Sequence, residues 1–387
     1  NNKIVGYRGN TFCNLGAYNS RFGQNIQTGL FSKVLMGAYD VQNTYLNVLG
    51  IYTNTTQVDA YRGAGRPEAI YLLERMMDRA ARELKIDPLE LRRINFIKKD
   101  SFPYRSSTGE MIDVGDFDRV LKASEISADI KGFERRKKES EAKGRLRGLG
   151  LCYYIESILG DPSEEAKVVF EEDGSVKIFV GTQSNGQGHE TVFAQFLSDQ
   201  TGIPTEKIIV VQGDSDLIPR GGGTGGSRSV TVQNNATLAT VEKIIQSFSQ
   251  YLSDKLEIDV EDIGFDDTSF RIKGSNYSPN ALEVAKMACE DHRFDLLKHS
   301  AKATLDARSF PNGAHFAEVE VDPETGFVQV VKYCVVDDFG NLINPMLAEG
   351  QVHGGVAQGI GQALYENVVY DQEGQLLTAT FMDYGMP

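Results

Sequence analysis

Through PEAIYLLERMMDRAARELK, residues 67–85, apolar side chains recur at spacings of three and four. Ile70, Leu73, Met77, Ala81 and Leu84 fall on one face and the charges fall on the other. The spacing predicts an amphipathic helix, with Pro67 in a first turn that has no use for its missing N–H. DPLELRRINFI predicts a shorter helix, with Asp87 as its N-cap and Pro88 next. Farther along the period changes. AKVVFEEDGSVKIFVG holds two alternating runs around Asp173-Gly174, which predicts a hairpin. HETVFAQFLSDQTG predicts a helix closed by Gly202, KIIVVQG a strand, and residues 230–255 a long helix. HFAEVEVDPETGFVQVVKYCVVDD predicts a second hairpin, turning at 323–326. Residues 1–60 alternate short apolar runs with Gly, Asn and Thr and predict strands with loops. Hairpins mixed with helices point to an α+β fold rather than a doubly wound sheet.

Two segments stand apart from this pattern. EGQVHGGVAQGIGQALYE (349–366) is helical in period but holds five glycines. Each weakens a helix by up to about 1 kcal/mol, so another backbone or a ligand is expected to pack there. FERRKKESEAKGRLRG is charged and mostly polar. It predicts an exposed helix at 133–148 connecting a domain at 1–132 to one at 149–387, because few apolar residues there can fix it to a core.

Composition narrows the function classes. At 387 residues and 41% hydrophobic, the chain can bury a core for two or three domains. A formal charge of −14 argues against nonspecific nucleic-acid binding, which needs a cationic footprint. No apolar run approaches the ~18 residues of a membrane span. The chain starts without Met, inside what reads as a strand, and a fragment or processed chain is expected. Cys13, Cys152, Cys289 and Cys334 are scattered with no C-x-x-C pair. Buried thiols and a reducing cytoplasm are expected, and no zinc or iron–sulfur site is written here. His189, His315 and His353 form no helix-spaced pair, so no metal ligand set is expected among them.

Chemistry is carried by loops that lead into helices. IPRGGGTGGSRSV (218–230) nearly matches a phosphate loop: Gly221 and Gly226 have the spacing, but Ser227 and Arg228 stand where Lys should follow. It reads either as a linker or as a backbone cradle for an anion. GQGHE (186–190) lies between a strand and a helix, where free N–H groups and a dipole end favour an anion; a tight turn is the plainer reading. Gly350-Gln351 repeats the Gly-Gln pair. In AYRGAGRPEA (60–69), Arg62 and Arg66 flank Gly63 and Gly65; they read either as solvated charges or as partners for an oxygen ligand.

Taken in order, YRGAGRPEA, GQGHET, the glycine run ending GSRS, EGQVHGGVAQGIGQALYE and TFMDYGMP resemble the molybdenum-binding large subunit of molybdenum hydroxylases, the xanthine dehydrogenase, aldehyde oxidase and carbon monoxide dehydrogenase family. Each motif alone is weak; five in the family's order are specific. The resemblance implies a molybdopterin cofactor with molybdenum, in its cytosine dinucleotide form. It implies that Thr224, Gly226, Ser227 and Ser229, opposite Gln187, Gly188 and His189, hold the pyrophosphate and nucleotide, and that Gln351 meets the pterin. Arg62 and Gly63 match the active-site loop. The reaction implied is oxidation of an aldehyde or N-heterocycle with oxygen from water, electrons passing to iron–sulfur and FAD subunits. The alternative is a non-catalytic cofactor-binding or assembly module. Two departures matter. Gly63 stands where carbon monoxide dehydrogenases carry a copper-binding cysteine. The family's catalytic glutamate falls after TFMDYGMP, so neither Glu68, Glu349 nor Glu366 is expected in that role, and the rest of the subunit is expected elsewhere.

Overall fold

The computed structural model describes residues 2–158 and 160–387. Helices and mainly antiparallel sheets are interleaved in an α+β arrangement, as the pattern predicts. The chain divides into two compact units. One comprises Asn1–Ser157, Arg308–Gly340 and His353–Pro387; the other comprises Ile158–Ala307 and Asn341–Val352.

The first unit is built on a three-stranded antiparallel sheet in the order Val328–Asp338, Asn312–Val321, Leu146–Ile155. Its outer strand Leu146–Ile155 is joined by chain from far downstream, a pairing no local pattern can reveal. Phe96, Phe117 and Tyr153 meet in the core with ring centroids 4.9–6.0 Å apart. The helix Arg66–Leu84 starts one residue before Pro67 and buries Leu73, Met77 and Ala81. Its Glu74 is also buried. That carboxylate accepts from Arg92 Nε at 3.0 Å, from Tyr153 N at 2.8 Å and from the Tyr39 hydroxyl. Asp87 caps Pro88–Asn95 as predicted, accepting from the amides of Leu89 and Glu90. Residues 1–60 hold more than strands and loops. Tyr7–Gly16 pairs in parallel with Thr44–Tyr52, and between them Gly23–Asn25, Ile26–Leu30 and Phe31–Lys33 wind into successive helical turns too short to show a period.

The charged segment forms the helix Phe133–Glu141, which an ion pair from Arg136 ties to the sheet. Arg136 and Arg147 both pair with Glu318, which is buried in the central strand.

The second unit has a four-stranded sheet in the order Lys298–Thr304, Ser163–Phe170, Val176–Val180, Ile208–Val211. The hairpin at Asp173-Gly174 is present, and the last strand is added in parallel. The helices His189–Thr201, Ser229–Leu256 and Ala281–Glu290 close over a core that includes Val168, Ile178, Phe193, Phe248 and Val284. The glycine-rich helix Pro345–Leu364 begins in this unit and ends in the first. Among the described residues no helix is long and apolar enough to cross a membrane. Cys13 is buried, but Cys152, Cys289 and Cys334 are only half-buried. All four are free thiols.

Candidate functional site

In the second unit the turn and the glycine run meet. Strand Val176–Val180 ends at Gly181, and the loop to the next helix carries Gln183, Gln187 and Gly188. The Thr224 hydroxyl donates to Gln183 O and accepts from Gln183 N at 3.1 Å, which ties the two loops together. Ser229 Oγ lies 3.4 Å from Thr224 Oγ1. Thr224, Gly226 and Ser227 therefore sit on one loop, with Ser229 at the start of the helix that leaves it, laced through Thr224 to the GQGHE loop. Gly226 and Ser227 both take positive φ, +69° and +59°, and so turn their successive amides.

Both helices that leave these loops begin without a side-chain cap, at Gly188 and at Arg228. Asp87, Asp116 and Asn280 do cap their helices. A helix start at a glycine loop, uncapped, is a place where an anion can serve the first-turn N–H groups.

The glycines separate by what surrounds them. A methyl on Gly221 would stand 2.2 Å from Gly181 O, and one on Gly222 would stand 2.4 Å from Arg228 Nη1. At Gly186, Gly223 and Gly225 a methyl would meet nothing within 4 Å. The first pair is glycine because protein packs there. The second group leaves bare backbone facing open space, which a long polyanionic cofactor can approach.

His189 is 1% exposed, so it lies behind the loop rather than at its surface. Its Nε2 is 2.9 Å from Gln187 Nε2, and Nδ1 is 3.4 Å from Gln212 Oε1. The Gln187 amide nitrogen donates, so Nε2 accepts and the proton sits on Nδ1, facing Gln212. Burial pushes this imidazole down in pKa, and Gln212 and Glu190 pull only partly the other way. The neutral ring holds Gln187, whose Oε1 accepts from Asn185 N. Asp214 caps the turn before the glycine run through the amides of Asp216 and Leu217.

In the first unit, Arg66 is 3% exposed rather than solvated. Its Nε donates to Gly63 O at 2.6 Å and its Nη1 to Ser157 O at 2.9 Å, with Glu156 at 3.0 Å. It fixes the loop that presents Arg62. Arg62 lines a cavity of about 150 Å³ with Gln27, Asp59, Tyr61, Glu68 and Gln362. Its guanidinium lies 3.7 Å from where a methyl on Gly354 or Gly355 would stand. The expected neighbour of the glycine-rich helix is thus a side chain at two of its glycines; Gly350 and Gly359 meet nothing within 4 Å. Gln351 lies on the part of that helix in the second unit. Gly63 takes φ +99°, and a Cβ there would stand 2.3 Å from Pro67 Cγ.

The buried guanidinium of Arg66 is what the sequence reading missed, along with the burial of His189. The available signal was an arginine placed directly after the glycines of a loop.

Residues 1–96 and 123–387 each match a molybdopterin cofactor-binding domain family. The chain is 30% identical to the carbon monoxide dehydrogenase large chain of Afipia carboxidovorans, covering 100% of this chain and 50% of that one. It is 35% identical to the nicotine 6-hydroxylase large subunit of Paenarthrobacter nicotinovorans, covering 91% and 45%. The quinoline 2-oxidoreductase structure from Pseudomonas putida 86 superposes with a TM-score of 0.91 at 30% identity, covering 100% of this chain and 52% of that one. The chain spans about half the length of the curated relatives it matches. By its two domain matches and its whole-chain likeness to these large subunits, the chain belongs to the molybdopterin cofactor-binding domain family of the molybdenum hydroxylases.

Proposed function

We propose that this chain is the cofactor-holding part of a molybdenum hydroxylase large subunit acting on an aldehyde or an N-heterocycle. The observation that carries the reading is the pair of laced loops in the second unit, with open glycines at 186, 223 and 225 and two uncapped helix starts. Such a cradle offers amides rather than cations, which suits a polar dinucleotide held along its length. When bound, the molybdenum cofactor supplies the two-electron oxidation of a substrate carbon with oxygen from water.

Thr224, Gly226, Ser227 and Ser229 hold the pyrophosphate and nucleotide from one side; Gln187 and Gly188 hold them from the other. His189 acts from behind by fixing the Gln187 amide. Gln351 hydrogen-bonds the pterin. Arg62 would contact an oxygen of the substrate, and Gly63 belongs to the same active-site loop. The dinucleotide is the cytosine form. Carbon monoxide is not the substrate adopted, because position 63 carries no thiol and its backbone has no room for a side chain. The four free thiols stand on separate elements, so electrons leave to iron–sulfur and FAD subunits. The complex works in the cytoplasm.

Molybdenum and released cytidine monophosphate, measured on the co-purified complex, are expected in equal amounts with the chain. A complex lacking both, from cells that make the cofactor, defeats the reading. Arg62→Ala is expected to lower turnover with molybdenum retained; loss of the metal would move Arg62 to cofactor retention. Ser227→Tyr is expected to abolish cofactor loading, and normal molybdenum content in that variant would refute the placement of the pyrophosphate.

A further inference from the structure

The arginine of the glycine loop faces the wrong way for the role its position suggests. An anion-binding loop ending in a cation invites a direct contact with phosphate. Arg228 is 1% exposed. Its Nε donates to Asp161 O at 2.8 Å, its Nη1 to Gly223 O at 2.9 Å and its Nη2 to Ser163 O at 2.7 Å. Nη1 is also 3.0 Å from Glu164 Oε2. Four of the five guanidinium N–H groups are thereby engaged inside the protein. Glu164 is buried as well, and the same Oε2 accepts from Gly222 N at 2.9 Å. The loop backbone closes over both groups. A methyl on Gly222 would fall on the guanidinium, and one on Gly181 would stand 2.2 Å from Glu164 Oε1.

We propose that Arg228 and Glu164 are a positioning pair: they fix the Gly221–Gly223 backbone so that the open half of the loop, from Gly223 to Ser229, receives the cofactor's pyrophosphate, which Arg228 itself does not touch. This rests on the proposed function above. The pair is neutral as a unit and bonds to the loop at two points, the Gly222 amide and the Gly223 carbonyl. Its other anchors, the carbonyls of Asp161 and Ser163, lie where strand Ser163–Phe170 begins, so the loop is referred to the rigid sheet. Lysine cannot replace this fork, since one ammonium cannot reach three carbonyls spread around a planar group. Gly223 is the joint between the halves: its carbonyl accepts from the arginine, its amide donates to Gly181 O at 3.1 Å, and its α-carbon faces open space.

The test uses the full complex, purified with its cofactor and also from cells that cannot make it. Inorganic pyrophosphate is titrated calorimetrically into the cofactor-free form of the native protein, Arg228→Lys, Glu164→Gln and the exposed-site control Arg220→Lys. Arg228→Lys and Glu164→Gln are expected to weaken binding about tenfold, the scale of one lost hydrogen-bonded contact, with Arg220→Lys unchanged. Molybdenum and nucleotide content should fall in the same two variants while turnover per bound molybdenum stays native. Native pyrophosphate affinity in a folded Arg228→Lys, even with a lowered melting temperature, overturns the proposal and makes the pair merely structural. Failure of the native cofactor-free protein to bind pyrophosphate overturns it too. A native complex empty of molybdenum whose pyrophosphate binding still drops in Arg228→Lys leaves the pair standing and removes the molybdenum reading instead.

Discussion

At the scale of single residues, a glycine is informative only once its surroundings are known. Gly221 and Gly225 look alike in GGGTGG, yet one is pressed against Gly181 and the other faces open space. Gly221→Ala is expected to destabilise the fold by about 1–3 kcal/mol, the usual cost of overpacking, read as a lower denaturation midpoint. Gly225→Ala should melt like the native protein and lose cofactor on dilution. The reverse ordering would show that the open half of the loop is not the binding half. Titration separates residues in the same way. Burial pushes the imidazoles of His189 and His299 down. The unfolded chain therefore takes up those protons first. Stability is complete above about pH 6.5, the ordinary histidine value, and declines as the pH falls from there toward the lower folded values. Thermal unfolding between pH 7 and 5 should show this slope, and His299→Gln should flatten it. None of this was legible in the sequence. A histidine beside glycines reads as a surface ligand until the fold buries it.

At the scale of elements, what was legible was local. The helix Arg66–Leu84 announced itself by its period, Pro88–Asn95 by its cap, and the hairpin by Asp173-Gly174. Asp87→Ala should cost about 1 kcal/mol, measured by chemical denaturation, because it strips two amides of their acceptor. What the sequence hid was pairing over distance. Lys298–Thr304 lies beside Ser163–Phe170, and Asn312–Val321 lies beside Leu146–Ile155. Neither strand carries a mark of its neighbour, since register is settled by which faces bury together. Charge misled similarly at Phe133–Glu141. Its scarcity of apolar residues suggests weak attachment, yet Arg136 reaches the buried Glu318. Arg92, wholly buried between Glu74 and Asp78, is the extreme case. Arg92→Met leaves the Glu74 carboxylate buried without its ionic partner and should cost about 3–5 kcal/mol. A loss under 1 kcal/mol would mean that water reaches the site.

At the scale of the whole molecule, five short motifs in order located the family better than any one of them. Order along a chain survives in the sequence even where three-dimensional contact does not show. The site itself was half legible: the loops could be named, but not the direction each side chain takes. That direction has a consequence for how the protein holds a charged ligand. The two arginines that close the glycine loops, Arg66 and Arg228, are turned inward onto carbonyls and carboxylates. The chain as a whole carries a formal charge of −14. Anion capture here draws no long-range attraction from these two guanidiniums, an attraction that dissolved salt would screen within about 10 Å at 0.1 M. It depends on short contacts from oriented, uncharged N–H groups, which salt scarcely weakens. Cofactor retention should therefore be almost indifferent to ionic strength. Dialysis against rising sodium chloride, with molybdenum followed at each step, should give a flat line rather than a steep release.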